Sequence, residues 1–174
     1  MIYVVNGTPR SGTSLCMQLL EAAGIPVLDD KIKGPDIYNP RGYYECAFIQ
    51  ENPDWLSKAH GHAVKLMGPI QLPVKDTLVL LTERDQVEVA TSWKNMNNLP
   101  GAAPTGEMAK NIRVMLKKNL EDRGYKWLSV SHRKLLIDPK PLLTEICNFL
   151  TLGDKVEKMA TVIDQSLWRN RVVV

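Results

Sequence analysis

The stretch Tyr3 to Met17, YVVNGTPRSGTSLCM, constrains this chain more than any other. It opens with Ile2 to Val5, a short apolar run rich in β-branched residues, which predicts a buried strand. A loop with two glycines, Gly7 and Gly12, follows. Thr13 and Ser14 then lead into Leu15, Leu19, Leu20 and Ala23, spaced for one face of a helix. Strand, glycine loop and helix together suit an anion. The glycines let successive backbone N–H groups turn inward, and the helix contributes free N–H groups and the positive end of its dipole. The plainer alternative is a glycine turn that joins strand to helix and binds nothing.

The spacing Gly7-x4-Gly12 is that of the nucleotide-binding P-loop, G-x-x-x-x-G-K-[ST]. Thr13 stands where that pattern has the lysine that reaches the β- and γ-phosphates of a nucleoside triphosphate. This substitution disfavours an ATPase and favours a ligand with one terminal phosphate at this point. A positive charge is still present, moved into the loop as Arg10.

A chain of 174 residues predicts one domain, residues 1–174, with a core of its own. The net charge of +3, from 22 basic and 19 acidic residues, is too mild for nucleic-acid binding without a clustered basic face and fits a local anion site. Cys16, Cys46 and Cys147 are far apart and lack metal-ligand spacing, so they read as reduced thiols, half-buried on helices, in a cytoplasmic protein. The apolar start is too short for a signal peptide, and no apolar run approaches a membrane span.

Further elements follow in order. Helix one is expected over Ser14 to Ala23, ended by Gly24, and Leu28 to Pro40 as a turn-rich excursion over the loop. Glu45 opens an amphipathic run from Cys46 to Ala59, interrupted at Pro53. Strands are expected at His62 to Met67, Thr77 to Leu81 and Lys126 to Ser131, with His132 and Arg133 at the end of the last. Helices are expected at Gln86 to Met96, at Thr105 to Asp122 with Met108, Ile112, Met115, Leu116 and Leu120 on one face, and at Lys155 to Ile163. Asp138 reads as an N-cap with Pro139 at the first helical position. These strands and helices are expected to build an α/β three-layer fold with a parallel sheet of about four strands, helices on both faces and the site at the strands' carboxyl ends.

Several of these blocks match one family. TPRSGTS resembles the loop that binds the 5′-phosphosulfate end of 3′-phosphoadenosine 5′-phosphosulfate (PAPS) in sulfotransferases. NPRGYYE, Asn39 to Glu45, resembles an N-P-x-G-[YF]-x-E stretch of small bacterial- or phage-type members. VKLMGPIQLP resembles K-T-H-x-P, with Lys65 on the family lysine and Met67 on the catalytic histidine. ERDQVEVATSW resembles the 3′-phosphate motif R-D-x-x-[DE]-x-x-x-S-x-[WY] and places Arg84 and Ser92 on the arginine and serine that grip the ribose 3′-phosphate. HRKLLIDPKPLLTEICNFLTL resembles a packing stretch near the family's end, with Arg133 where an acid is usual.

The resemblance implies a P-loop-containing fold and sulfuryl transfer from PAPS, leaving PAP, to a hydroxyl or amine acceptor without a metal. Catalytic roles fall on Glu45 as base, Lys65 and Arg10; donor contacts fall on Pro9, Arg10, Ser11, Gly12, Thr13, Ser14, Arg84 and Ser92, with Arg169 and Arg171 of the tail closing over the 3′-phosphate. His60, His62 and His132 are substitutes for the base. The acceptor, a small molecule, glycan or peptide, is not named by these residues, nor is the oligomeric state. If the P-loop kinase strand order holds, the Thr77 strand lies beside the Ile2 strand and the His62 strand does not. Two other readings stay open: a nucleotide kinase-like P-loop enzyme, with Asp85 its only candidate Mg2+ acid, and a PAP-binding relic that no longer catalyses.

Overall fold

The structure is a computed structural model, and it describes residues 1–46, 54–97 and 105–172. Four strands form one parallel sheet: β1 (Ile2–Asn6), β2 (Ala63–Leu66), β3 (Thr77–Glu83) and β4 (Lys126–Ser131), in the order β2-β1-β3-β4. Among the described residues the α-helices are α1 (Thr13–Ala22), α2 (Trp55–Ala59), α3 (Gln86–Asn97), α4 (Gly106–Arg123), α5 (His132–Ile137), α6 (Pro139–Leu150) and α7 (Val156–Ala160).

Both faces of the sheet are covered, which is why its strands are apolar at consecutive positions instead of every second one. Val5, Leu78 and Leu80 face a core with Met17, Leu19 and Leu20 of α1 and Leu143 and Ile146 of α6. Ile2, Val4, Val79 and Leu81, the alternate positions on the same strands, face a second core with Leu116 and Leu120 of α4. This is the three-layer α/β architecture expected.

The Thr77 strand does pair with the Ile2 strand, through Ile2–Thr77 to Asn6–Leu81. The expectation that the His62 strand lies elsewhere is corrected: β2 pairs with the other edge of β1, from Tyr3–Ala63 to Asn6–Leu66. The chain after α1 fixes it there, because Leu28 donates its N–H to the Ala63 carbonyl and Ala63 donates to that of Pro26. β1 is therefore an interior strand, and the glycine loop leaves from the middle of the sheet.

Local differences have local causes. The strand begun at Thr77 runs on to Glu83, and the helix expected at Lys155 to Ile163 contracts to Val156–Ala160. On α4, Leu116 and Leu120 are buried, whereas Met108 and Met115 face solvent, so the apolar stripe is narrower than the pattern implied. Asp138 is the N-cap residue of α6 with Pro139 behind it, but its side chain makes no capping bond. Cys16 and Cys147 are buried free thiols on α1 and α6, while Cys46 is half-buried and lies outside any helix. Glu45 itself lies in irregular backbone, and most of the amphipathic run expected to follow it, residues 47–53, lies outside the described residues. The interruption expected at Pro53 falls outside the described residues.

Candidate active site

The glycine loop occupies residues 7–12 at the carboxyl end of β1. Gly7 is required by space: a Cβ there would lie 2.0 Å from Thr82 Oγ1 and 2.7 Å from Ser11 Oγ. Gly12 is required by conformation, with φ +103°, and its open side faces the ring of His132, 2.9 Å from where a Cβ would be. Gly12 is also the N-cap of α1, which has neither a side-chain cap nor an acidic residue in its first turn. The amino end of the helix is left to be neutralised by something other than the protein's own side chains.

The loop faces a cavity of about 190 Å³ lined by Pro9, Arg10, Gly12, Thr13 and Ser14 on one side and by Tyr43, Glu45, Lys65, Met67 and Arg84 around it. NPRGYYE folds over the loop: Asn39 Nδ2 donates to Ser14 Oγ at 3.0 Å, and Ser14 Oγ donates to the Tyr43 carbonyl at 3.3 Å. Lys65, at the end of β2, donates its ammonium to that same carbonyl and stands 3.3 Å from Glu45 Oε1. Burial pushes the Lys65 ammonium below its ordinary value, and the Glu45 charge works against that shift. Glu45 is half exposed and reaches the cavity from its rim.

Three of the expected donor contacts have other partners here. Ser11 is buried and turned from the cavity, with Oγ on the Thr8 carbonyl at 2.6 Å and 2.5 Å from Thr82 Oγ1, so its hydroxyl braces the loop. Arg169 donates its guanidinium to the Ile37 carbonyl, and Arg171 lies over the Trp168 ring at 4.6 Å; neither lines the loop cavity. The tail nevertheless reaches the site through its backbone, since the Arg169 carbonyl accepts from Arg84 at 2.7 Å.

Arg10, Arg84 and Ser92 do come together. Arg10, in the left-handed region at φ +70°, donates Nε to Ser92 Oγ at 3.0 Å and a terminal N–H to the Tyr38 carbonyl at 3.1 Å. Its own carbonyl accepts from Arg84 at 3.2 Å. Burial draws the Arg10 guanidinium below its ordinary value; Tyr43 opposes this and Arg84 adds to it. Arg84 is oriented from behind by Glu88, a buried carboxylate that also accepts from Trp168 Nε1 at 3.0 Å and the Val172 N–H at 3.1 Å. Glu88 and Trp168 were not singled out in the sequence. The signal for Glu88 was its i, i+4 spacing from Arg84, which stands just ahead of α3.

The histidine substitutes do not converge on the cavity. His62 Nδ1 lies 3.0 Å from the His60 carbonyl at the corner before β2, and neither residue lines it. His132 is buried behind Gly12 with its Nδ1 unpartnered, and burial, with Arg84 adding to it, pushes the imidazole down to about 3. Met67 lies on the cavity wall, 43% exposed, at the position expected for a histidine. Asp85 accepts the N–H groups of Val87 and Glu88 at 2.9 and 3.1 Å, so it caps α3. Among the described residues no cluster of His, Cys, Asp and Glu is placed to hold a metal ion, and no helix is long and apolar enough to cross a membrane.

No protein-family model matches the sequence, and no curated protein does. Solved structures do match. Mouse sulfotransferase SULT7A1, complexed with PAP, aligns with 99% of this chain and 67% of its own, at TM-score 0.56 and 17% identity. The sulfotransferase domain of the Synechococcus PCC 7002 olefin synthase aligns with 99% of this chain and 88% of its own, at TM-score 0.53 and 15% identity. The fold is that of the sulfotransferases.

Proposed function

We propose that the chain transfers a sulfuryl group from PAPS to a hydroxyl or amine acceptor. One observation supports this above the others: the uncapped amino end of α1 and the Glu45–Lys65 pair line a single cavity, with Arg84 at its edge. The 5′-phosphate would be received by Gly12, Thr13 and Ser14, and the ribose 3′-phosphate by Arg84 and Ser92. Arg84 has one N–H on each of its terminal nitrogens bonded to a backbone carbonyl, which leaves one on each for a phosphate. SULT7A1 was solved with PAP, which supports PAP as the product here.

The chemistry is a displacement at sulfur. The acceptor oxygen or nitrogen forms a bond to sulfur as the bond between sulfur and the 5′-phosphate oxygen breaks. Negative charge accumulates on the leaving phosphate, where loop N–H groups, Arg10 and Lys65 stabilise it. The acceptor's proton goes to Glu45, the one carboxylate among the described residues that line the cavity. Beyond Glu45 and Lys65 a cleft of about 730 Å³ opens, walled by Ile32, Trp55, Leu66, Met67, Ile70 and Leu72. Asp30, Lys33 and Gln71 line it as well, so it mixes apolar and charged walls; it is the approach for the acceptor.

Against a kinase-like enzyme stand Thr13 in the lysine position and the use of Asp85 as a cap. Binding of PAP without turnover is the second reading. Met67 in the histidine position favours it. Calorimetry with PAP, AMP and ATP·Mg2+, followed by transfer from radiolabelled PAPS to a phenol and alcohol panel, separates the three. PAP bound in preference to AMP, with labelled product, is expected. PAP binding with no product on any acceptor supports the second reading, and preference for ATP·Mg2+ rejects both.

A further inference from the structure

Lys33 belongs to none of the sequence motifs, yet it stands at the junction of the loop cavity and the larger cleft and lines both. Its ammonium lies 4.0 Å from the centroid of the Tyr43 ring and 3.5 Å from Glu45 Oε1. That carboxylate oxygen is the one Lys65 approaches from the opposite, buried side. Four cationic side chains line the loop cavity (Arg10, Lys33, Lys65 and Arg84) against the single carboxylate Glu45. Arg10 is held by Ser92 and the Tyr38 carbonyl, and Arg84 by Glu88 and two backbone carbonyls, its remaining N–H groups being those assigned above to the 3′-phosphate. The two lysines remain at the end where the cavities meet. Lys65 already gives one N–H to the Tyr43 carbonyl and one to Glu45. Lys33 holds Glu45 at a longer distance from a half-exposed position, so its ammonium exchanges partners at lower cost.

We propose that Lys33 is a substrate-contacting residue that pairs with an anionic oxygen of the sulfonate group in transit, an inference that rests on the PAPS reading above. Pairing there moves one of the two ammonium groups off Glu45. The carboxylate then keeps a single lysine partner, which leaves its oxygens less occupied when the acceptor's proton arrives. The Tyr43 ring keeps the lysine stem aimed at the junction when Glu45 is released, because a cation over an aromatic face is attracted to it with little directional demand.

PAP and PAPS differ by the sulfonate alone, so they isolate this contact. The test is equilibrium binding of each, without acceptor, to wild type, Lys33→Met and Lys33→Arg. Lys33→Met is expected to weaken PAPS by about 10-fold or more, the loss of one charge-assisted contact, while PAP binding stays within about twofold and Lys33→Arg restores most of the PAPS affinity. Equal weakening of PAP and PAPS, or no change in either, overturns the assignment. A Lys33→Met effect confined to acceptor KM overturns it as well and moves the residue to the acceptor cleft. A wild type that binds neither nucleotide rejects the PAPS reading itself, and the Lys33 assignment with it. Because Lys33 is half exposed, these variants leave the core intact.

Discussion

Arg84, just ahead of α3, and Glu88, in the first turn of α3, form an ion pair of 2.9 Å in which both side chains are at least nine-tenths buried. Burial pushes the Glu88 carboxyl up, but the hydrogen bonds from Trp168, Arg84 and Val172 outweigh it and hold the group below the usual carboxylate range. The pair fixes the guanidinium plane before any ligand arrives, so little side-chain freedom is lost on binding.

Arg84→Ala should therefore abolish the preference for PAP over AMP. The loss expected is about 1.5–3 kcal/mol in PAP affinity with AMP affinity nearly unchanged. Calorimetric titration of both nucleotides measures the ratio, which is insensitive to any fraction of misfolded variant. If the wild type binds PAP and AMP equally, Arg84 and Ser92 are not a 3′-phosphate site.

Glu45→Gln should bind PAP as the wild type does and transfer sulfate slowly. The amide has the shape of the carboxylate but accepts no proton, and loss of a positioned base costs roughly 100- to 10,000-fold in rate. A single-turnover assay with saturating PAPS reports it. Undiminished transfer by the variant would remove Glu45 from the mechanism.

Gly7→Ala should destabilise the fold by about 1–3 kcal/mol, the usual cost of overpacking, because its methyl group meets the Thr82 and Ser11 hydroxyls. Those hydroxyls brace the loop, with Thr82 Oγ1 donating in turn to the Asn6 carbonyl at 3.2 Å. Thr82→Ala in the same chain should recover part of the loss. Urea denaturation of both variants checks this, and equal midpoints for Gly7→Ala and wild type would contradict the packing.

His132 makes stability depend on pH. Its imidazole is held neutral to about 3 in the folded protein, chiefly by burial, against about 6.5 when exposed. Between these values the unfolded chain binds the extra proton. Stability is thus fully present above pH 6.5 and falls as the pH drops toward 3, by at most about 1.4 kcal/mol per unit from this group. His132→Asn should flatten the urea midpoint between pH 7 and pH 5 relative to wild type. An unchanged slope would mean that carboxylates alone set the acid response.

The strands and the glycine loop were legible because their signals are local. Ile2 to Val5 is apolar without interruption, and Gly12 precedes the first helical residue, so both are visible in a window of a few residues. Edge assignment is not local. Whether β2 joins β1 depends on backbone bonds from Pro26 and Leu28, which leave no trace in side-chain type. The site residues divide the same way. Glu45 and Lys65 are brought to one cavity, as their motifs suggested, but Ser11 sits in the loop with its hydroxyl turned inward, a direction set by Thr82 on another strand. Lys33 escaped notice because one lysine among the charged residues of a turn-rich segment looks solvated until Tyr43 and Glu45 are folded against it.

Because β1 is interior to a wholly parallel sheet, its two neighbours are both distant in sequence: one begins at Ala63 and the other at Thr77. During synthesis this strand leaves the ribosome before either partner and waits with both edges unpaired until those segments follow. Parallel pairing of this kind closes long loops before any contact compensates for the lost chain entropy, so assembly is slow. An exposed run of Ile, Tyr and Val is meanwhile open to pairing with other nascent chains. The loop that follows β1 is then among the last parts to acquire its shape, since Thr82, which braces it, arrives on the second of the two partner strands. Nucleotide present during refolding should therefore act late, raising the yield of folded protein without accelerating the first collapse.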